Sequence, residues 1–423
     1  MSRERFDALR AGIFAASFAP QSSPARTVGV EVELLAHDVD TNRPIPLHAE
    51  RGGLVAAIQR IARRKGWNEF RAYDDTVRFD VPGQALISFE PGGQIEISSV
   101  PSASVTALVA RVQEIVRALR VGLEHDGIDL RSIGIDPHND AASIPLQLQV
   151  DRYRNMTRYF DGIGPYGIRM MRQTAAIQVS IDRGADPAAR WRLLNDLAPY
   201  LIAIFANSPI YAGEDTDHRS FRALCWRRLD PTRTGVAIDG ADPSADYARF
   251  ALHANDMMRV DEHGRYRSYS HWLAAETDDT ARWSAHTTTL FPEVRPRGHF
   301  EVRSCDAIAP EWYAAPIVLI AGLVYDETAS REASILAAES RALLRTAGER
   351  GLRDTEIART ARDLFQLALD GAARLGAGYV SGEIVEIARA FYSHYTARER
   401  SPADDALDDL RASSATRPIG SPI

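Results

Sequence analysis

Four short stretches of the sequence alternate between apolar and polar side chains, and this alternation limits the fold more than any other feature. The stretches are GVEVELL (29–35), ISFEPGGQIEISS (87–99), MRQTAAIQVSID (171–182) and HFEVRS (299–304). Successive side chains of a strand point to opposite faces, so each stretch predicts a strand with one apolar and one wet face. The second stretch has a Pro-Gly-Gly turn in its middle and predicts a hairpin. We expect all of them to share one antiparallel sheet.

The polar sides of these stretches carry carboxylates. If the strands share a sheet, one surface holds Glu31, Glu33, Glu90, Glu96 and Glu301. These groups would repel one another, and a hard divalent cation relieves such repulsion. A site whose ligands are all oxygen atoms favours Mg²⁺ or Mn²⁺ over zinc. The alternative is a salt-bridge network on an exposed face, and the pattern of each single residue fits either interpretation.

The same surface would also carry cationic and hydrogen-bonding side chains. They are Arg172, Thr174, Gln178, Arg295, Arg297 and Arg303. Guanidinium groups bind phosphate or carboxylate in a bidentate manner. Of 50 basic residues only Lys65 is a lysine, and no GxxxxGK[ST] phosphate loop occurs, so arginine would have to hold any phosphate. Carboxylates, a metal and arginines together indicate phosphoryl chemistry on a nucleotide.

Composition excludes several classes of protein. The formal net charge of −7 argues against nucleic acid or an anionic membrane as the main partner. Two cysteines, Cys225 and Cys305, suit a reducing compartment and exclude both a disulfide framework and a CxxC zinc site. No apolar run approaches the roughly 20 residues of a membrane helix, and the N-terminus has acidic residues where a signal peptide has none. We expect a cytoplasmic protein, either a monomer or a homodimer.

Strand and helix patterns do not alternate as βαβ units, which makes a Rossmann sheet a poor explanation. Helices are expected at about 3–17, 50–65, 103–127 and 186–209, and almost everywhere from 310 to 400. The pattern predicts an α+β fold, with helices packed on the apolar face of the sheet and a helical C-terminal layer. Residues 1–400 would form a single catalytic domain, and the small, polar segment 401–423 is expected to be disordered.

Three further features are weaker candidates. GIGPYG (162–167) matches a phosphate-loop pattern formally, but a helix-like segment precedes it, so a loop that covers the substrate is the better interpretation. His286 in SAHTTTLFPEVR fits a site residue or a structural one equally well. Cys225 and Cys305 have no motif that marks a nucleophile, and buried structural thiols are the simpler interpretation.

Several blocks, taken in order, resemble the glutamate–cysteine ligases of plants and proteobacteria, including the actinobacterial branch of the ergothioneine pathway. They are VGVEVEL, ISFEPGGQIEISSVP, MRQTAAIQVSID, FANSP, RRLDPTRTG, TTLFPEVRPRGHFEVRSCDA and GLVYDE, from about residue 27 to 330. The resemblance implies a curved antiparallel sheet like that of glutamine synthetase and the guanidino kinases. It also implies a ligase for glutathione or ergothioneine biosynthesis that uses ATP and magnesium. In such an enzyme ATP phosphorylates the γ-carboxylate of L-glutamate, and the amine of L-cysteine displaces the phosphate.

The resemblance also implies roles for particular residues. Glu31, Glu33, Glu90, Glu96 and Glu301 would hold the metal. Arg295 and Arg303 would act on the acyl or phosphoryl group, with Arg297 as a further phosphate ligand. Arg152, Tyr153 and Arg222 would hold the α-carboxylate of glutamate, and Thr174 and Gln178 would line the acceptor end. Apart from the resemblance, Arg172 and His286 are further candidate substrate-binding residues.

Three alternatives are open. A carboxylate–amine ligase of the same mechanism could use another amine in a specialised pathway. The second alternative is a catalytically silent regulator that binds ATP or glutamate, but such a protein would have no reason to keep so many mutually repelling carboxylates. The third is a magnesium phosphohydrolase, which would need neither the arginines nor the extended resemblance.

Overall fold

An antiparallel sheet lies at the centre of the computed structural model, which describes residues 3–21, 26–49, 53–235, 238, 241–275 and 280–415. The strands of this part of the chain are β1 (Val28–Asp38), β2 (Asn68–Arg71), β3 (Val77–Val81), β4 (Ala85–Phe89), β5 (Ile95–Ser99), β6 (Ile128–Arg131), β7 (Ala176–Ile181), β8 (Ile210–Tyr211), β9 (Glu214–Asp215), β10 (Val294–Pro296) and β11 (Phe300–Asp306). The main sheet has the order β10-β11-β7-β1-β5-β4-β3-β2, and β6 pairs with the far end of β1. Every pairing is antiparallel. All of the strands expected to share a sheet therefore do so.

The described residues also form sixteen α-helices. They are α1 (Arg3–Ile13), α2 (Leu54–Lys65), α3 (Val105–Glu124), α4 (Asp151–Asp161), α5 (Pro165–Gln173), α6 (Pro187–Ile204), α7 (Phe221–Leu229), α8 (Pro243–His253), α9 (Tyr269–Ala275), α10 (Thr280–Thr287), α11 (Ala314–Tyr325), α12 (Glu327–Leu336), α13 (Leu344–Arg350), α14 (Thr355–Leu375), α15 (Gly382–His394) and α16 (Pro402–Ala415). A single turn of π-helix, Phe14–Phe18, continues α1. No helix in the described ranges combines the length and the apolar character needed to cross a membrane.

The apolar face of the sheet packs against helices α3, α6 and α11. Val30, Val32 and Ile177 contribute from the strands, and all belong to one continuous core. Helix α11 is buried along its whole length, and α14 and α15 cover it. Because this side is filled by helices, the polar face is the one left to bind ligands. The expected α+β architecture with helices on the outer, apolar face is thus confirmed.

The hairpin β4–β5 places its turn against helix α5. Ile87 pairs with Ile97 and Ser88 with Glu96, which sets the carboxylate on the polar face. Within the turn, a Cβ atom added to Gly92 would meet the carbonyl oxygen of Arg172 at 2.0 Å. Only glycine allows this approach, so the turn residue and the end of α5 fix each other's position.

The prediction of a strand over 171–175 is wrong. Helix α5 extends to Gln173, and β7 begins only at Ala176. The hydroxyl of Thr174 donates to the carbonyl of Met170 at 2.7 Å, which closes the last helical turn. Alternation over so few residues does not distinguish a strand from the end of a buried helix. Arg172 therefore lies on a helix and not on the sheet.

The expected disorder of 401–423 is also wrong for most of that segment. Helix α16 spans Pro402–Ala415, while 416–423 lie outside the described residues. Ala403 and Leu407, one helical turn apart, are fully buried, and Asp404 is bound by two arginines. The polar composition concealed a helix with a narrow apolar stripe.

Candidate active site

A cavity of about 400 Å³ lies over the polar face of the sheet, beneath helices α4, α5 and α7. Most of the residues singled out in the sequence line it: Glu31, Glu33, Glu90, Glu96, Arg152, Tyr153, Thr174, Gln178, Arg222, Arg295, Arg297 and Arg303. Glu301 is fully buried and touches the cavity through Arg295. The strand order separates the charges, because the arginines of β10 and β11 lie at one side and the carboxylates of β1 and β5 at the other.

We call Glu31, Glu33, Glu90 and Glu96 the carboxylate end of the cavity. Burial, Glu301 and Glu96 raise the pKa of Glu31 to about 8, and burial with Glu96 raises the pKa of Glu33 to about 7. The pKa of Glu90 also lies well above its ordinary value because the group is buried beside Glu96 and Glu33. These carboxylates therefore repel one another, and a bound cation would stabilise their charged forms.

Neutral hydrogen-bond donors contact two of these carboxylates. Glu33 accepts from the backbone N–H of Ala176 at 2.8 Å and from the amide of Gln178 at 3.0 Å. Glu96 accepts from the hydroxyls of Ser88 and Ser98. No group of three carboxylate, histidine or cysteine side chains among the described residues is arranged to hold a metal ion by itself. The oxygen-only donors and their raised pKa values fit a cation such as Mg²⁺, which commonly takes few protein ligands and completes its shell with water and substrate phosphates.

Glu301 differs from the other carboxylates. It accepts from Nη2 of Arg295 at 2.7 Å and from Nε of Arg295 at 3.2 Å, and Nε of Arg303 lies 3.2 Å from it. These arginines outweigh the effect of burial and lower the pKa of Glu301 to about 2. Glu301 is thus an ionised carboxylate that orients arginines. Its predicted role as a metal ligand stays a prediction.

We call Arg222, Arg295, Arg297 and Arg303 the arginine end. The guanidinium carbons of Arg222 and Arg303 lie 4.8 and 4.9 Å from the ring centroid of Trp226. Cation–π contacts of this kind hold a guanidinium in place without using its N–H donors. Nη1 of Arg303 and Nε of Arg222 are buried, and neither has a hydrogen-bond partner among the described residues. Burial and Arg295 lower the pKa of Arg303 to about 10, so this end is a site for an anion.

Gln178 connects the two ends. Its amide nitrogen donates to Glu33, and its amide oxygen accepts from Nε of Arg303 at 2.9 Å. These two contacts fix the orientation of the Gln178 amide, because its nitrogen lies beside an acceptor and its oxygen lies beside a donor. The two partners consequently hold their positions relative to each other across β7.

Helix α4 covers the cavity from the side opposite the sheet. Nη2 of Arg152 donates to the carbonyl of Thr288 at 3.0 Å, which joins α4 to the segment before β10. Burial and the Glu90 carboxylate raise the pKa of the neighbouring Tyr153. These two residues close the carboxylate end against solvent.

Two predicted substrate residues do not reach the cavity. Nη1 of Arg172 donates to the carbonyl of Ile144 at 3.1 Å, because α5 turns that side chain away from the sheet. His286 is buried, stacks on Tyr269 at 4.4 Å between ring centroids, and its Nε2 lies 2.8 Å from the carbonyl oxygen of Ala251. Burial lowers the pKa of His286 to about 4, so it is a neutral residue of the core, which was one of its two interpretations.

The remaining weak candidates also lie outside the cavity. Residues 162–164 of GIGPYG connect α4 to α5, and 165–167 form the first turn of α5. None of the six residues, all of them described, lines the cavity, so the expected loop over the substrate is not found there. Cys225 and Cys305 are fully buried, and burial raises the pKa of both thiols, which fits structural roles.

Sequence reasoning missed Trp226, which is the contact surface for two arginines of the site. A signal was present, because Arg222 and Trp226 are four residues apart and share one face of a helix. Asp74 and Arg78, from the β2–β3 hairpin, also line the cavity. Nothing in their local sequence pattern separates them from ordinary surface charges.

A second cavity of about 660 Å³ adjoins the arginine end. Both cavities are lined by Thr288 and Arg297. The second one is mostly apolar, with walls formed by α1, the π-helical turn and residues such as Leu9, Tyr247 and Trp283. Its size and apolar lining are typical of sites for small organic ligands.

Comparison with known proteins identifies the relatives of this chain. Residues 27–374 match the family described as glutamate-cysteine ligase family 2. The chain is 31% identical to glutamate–cysteine ligase EgtA of Mycolicibacterium smegmatis, over 93% of this chain and 89% of that protein. It is 29% identical to the chloroplastic glutamate–cysteine ligase A of Oryza sativa subsp. japonica, over 88% of this chain and 80% of the relative. Among solved structures, a bifunctional glutathione synthetase from Pasteurella multocida is similar at a TM-score of 0.49 and 12% identity, covering 98% of this chain and 51% of the other.

Proposed function

The chain belongs to the glutamate–cysteine ligase family, and from this premise we propose that it joins the γ-carboxylate of L-glutamate to the amine of L-cysteine at the expense of ATP. The observation that carries the proposal is the division of one cavity into a carboxylate end and an arginine end. The first suits a divalent cation, and the second suits the anionic groups of glutamate and the phosphates of ATP.

L-Glutamate would bind beside Trp226. Nε of Arg222 and Nη1 of Arg303 are buried donors without partners among the described residues, and a ligand carboxylate would satisfy them. We assign the α-carboxylate of glutamate to Arg222, which lies nearer the wall formed by α7. The γ-carboxylate would then face Arg303 and the sheet. Gln178 supports this arrangement by holding Arg303 in place.

The phosphates of ATP would lie along Arg295, Arg297 and Arg303. Arg295 is already oriented by Glu301, so its position does not need to change when the charge on the phosphoryl group increases. The side chain of Arg297 is half exposed and lines both cavities. The nucleoside of ATP would therefore occupy the second, apolar cavity, with Arg297 at the junction.

Glu31, Glu33, Glu90 and Glu96 would hold Mg²⁺, or Mn²⁺, and Glu301 is the remaining candidate ligand. Bound there, the metal would supply positive charge to the nucleotide phosphates. The raised pKa values of Glu31, Glu33 and Glu90 support this assignment, because a cation bound beside these groups would stabilise their charged forms.

A carboxylate is a poor electrophile at neutral pH, which explains the need for ATP. In the proposed reaction an oxygen of the γ-carboxylate attacks the γ-phosphorus, and ADP leaves. The amine nitrogen of cysteine then attacks the carbonyl carbon of the acyl phosphate, the bond to phosphate breaks, and the amine loses a proton. Arg303 and Arg295 offset the negative charge of the transferred group. Cover by α4 and α7 keeps water from hydrolysing the acyl phosphate.

The measurement that tests the proposal is ADP release with Mg-ATP and L-glutamate, with and without L-cysteine, followed by the mass of the product. ADP that depends on both amino acids, together with the mass of γ-glutamylcysteine, would support it. Glutamate-dependent ADP release that requires a different amine would retain the acyl phosphate and replace the acceptor. ATP hydrolysis without any dependence on glutamate would contradict the proposal.

A further inference from the structure

Residues 401–404, at the start of α16, bind the loop that leads into helix α7. The backbone N–H of Ala403 donates to the carbonyl of Ala206 at 2.9 Å. Oδ1 of Asp404 accepts from Nε of Arg219 at 3.2 Å and from Nη2 of Arg353 at 3.1 Å. Oδ2 of Asp404 accepts from the backbone N–H of Ser401 at 3.0 Å. The contact is dry, since Ser401 and Ala403 are fully buried and Asp404 is nearly so.

The same loop holds Asp306, the last residue of β11. The Asp306 carboxylate accepts three hydrogen bonds from this loop. The donors are the backbone N–H of Asn207 at 2.8 Å, the hydroxyl of Ser208 at 2.7 Å and the hydroxyl of Ser220 at 2.9 Å. Asp306 is fully buried, so these donors replace its hydration. Loop and strand are consequently fixed to each other at the back of the arginine end.

Arg222 depends on this network for its position. Its backbone N–H donates to the hydroxyl of Ser208 at 3.1 Å, and its Nη1 lies 3.7 Å from Asp306. Its Nη2 donates to the carbonyl of Arg303 at 2.9 Å. Arg219, which Asp404 binds, lies only three residues before Arg222 and directly precedes Ser220, the residue that caps α7.

From these contacts we propose that Asp404 is a positioning residue for Arg222. Residues 401–404 act as a latch that holds the 206–222 segment, and the affinity for L-glutamate depends on it. The proposal rests on the proposed function, because Arg222 is assigned there to the α-carboxylate of glutamate. Residues 401–404 lie outside residues 27–374, which match the family, whereas the 206–222 segment that they bind lies inside them.

The physical reason is the charge of Arg219. This side chain is buried, and burial lowers its pKa while Asp404 opposes the change. A buried guanidinium that loses its carboxylate is strongly destabilised unless it moves toward water. Movement of Arg219 would also move Ser220, the next residue. The Arg222 side chain would then lose its present orientation, in which its Nε is buried and has no partner among the described residues. The catalytic arginine on β11, Arg303, would stay in place, because β11 is paired on its two sides with β7 and β10.

The test compares Asp404→Asn with Asp408→Asn. Both residues are on α16, but the Asp408 carboxylate is about half exposed and accepts hydrogen bonds from Arg400 and Arg411, neither of which contacts Asp404 through a hydrogen bond or ion pair. We expect Asp404→Asn to raise the KM for L-glutamate on the order of tenfold, with kcat and the KM for ATP changed by less than about twofold. Asp408→Asn should match the wild type. A wild-type KM for glutamate in Asp404→Asn, or an equal increase in both KM values, would overturn the latch.

Ser401→Ala provides a second variant if Asp404→Asn does not fold. It removes a hydroxyl that lies 3.3 Å from Oδ2 of Asp404 and leaves both arginine contacts intact, so it should raise the KM for glutamate by about twofold.

Calorimetric titration of the wild type with L-glutamate distinguishes the proposed ligase reaction from the proposed latch. Glutamate binding without product formation would contradict the ligase reaction, and weaker binding by Asp404→Asn would still support the latch. A wild type that does not bind glutamate would contradict both.

Discussion

Arg295 and Glu301 form a bidentate ion pair beneath the proposed phosphate site, with Nη2–Oε1 and Nε–Oε2 distances of 2.7 and 3.2 Å. The pair distinguishes Glu301 from Glu31 and Glu33 of β1, whose pKa values are raised and not lowered. Two carboxylates on the polar face of one sheet can therefore have opposite roles, and mutation should separate them.

We expect Glu90→Gln and Glu301→Gln both to lower kcat by at least about 100-fold but to differ in stability. Glu90→Gln removes one of several repelling charges, so the midpoint of thermal unfolding should stay the same or increase. Glu301→Gln leaves Arg295 and Arg303 buried without their common partner, which should lower the free energy of unfolding by about 3 kcal/mol. ADP release and calorimetric unfolding measure the two effects. Near-normal turnover of both variants would rule out the metal and phosphate assignments.

The carboxylate end predicts how stability depends on pH in the absence of ligands. The pKa values of Glu31 and Glu33 rise to about 8 and 7 on folding, from an ordinary value of 4.5. Between about pH 4.5 and 8 the folded protein then binds more protons than the unfolded chain, so this contribution to stability decreases as the pH increases. We expect the unfolding midpoint in EDTA to be lower at pH 8 than at pH 6, and Mg²⁺ to raise it more at pH 8. Glu31→Gln should reduce the difference, and a midpoint that rises steadily over this range in wild type and variant alike would refute the interpretation.

Trp226 should determine how well the arginine end is organised. Trp226→Leu removes the ring under Arg222 and Arg303 and should raise the KM for L-glutamate by roughly tenfold, which corresponds to about 1.4 kcal/mol. Trp226→Phe keeps an aromatic face and loses the indole N–H that donates to the carbonyl of Phe291 at 2.8 Å, so a smaller increase is expected. Steady-state kinetics with glutamate varied at saturating ATP measure both. Equal effects of the two variants would show that the ring face is unimportant.

The second cavity offers a test of where the nucleoside binds. A Cβ atom added to Gly12 of α1 would meet no atom within 4 Å, so Gly12→Phe can extend into the cavity without a clash at its base. We expect a KM for ATP raised by about tenfold or more, with an unchanged KM for glutamate. Ala11→Phe is the matched control, because Ala11 is exposed and does not line the cavity. An unchanged KM for ATP in Gly12→Phe would place the nucleoside elsewhere.

Local sequence pattern predicted β1, the β4–β5 hairpin, β7 and β11, and the faces of β1, β5 and β11, correctly, but it gave no sign of β2, β3, β6 and β10. It failed at 171–175, where a short alternating run is the end of α5, and at α16, where polar composition concealed a narrow apolar stripe. It did not predict the ion pair of Glu301 with Arg295, since the chemistry of a glutamate in a strand does not show which cation will lie beside it. The roles of the metal ligands and of Arg152 stay predictions.

The sequence by itself determined that one face of a sheet would carry Glu31, Glu33 and Glu96, because side-chain direction in a strand depends only on parity. Only the tertiary structure decided what covers that face. Strand order placed the arginines of β11 beside β7 and apart from the carboxylates, and helix packing brought Arg222 and Trp226 over the sheet while turning Arg172 away. Such contacts join residues far apart in the chain, and their geometry depends on the packing of the whole core.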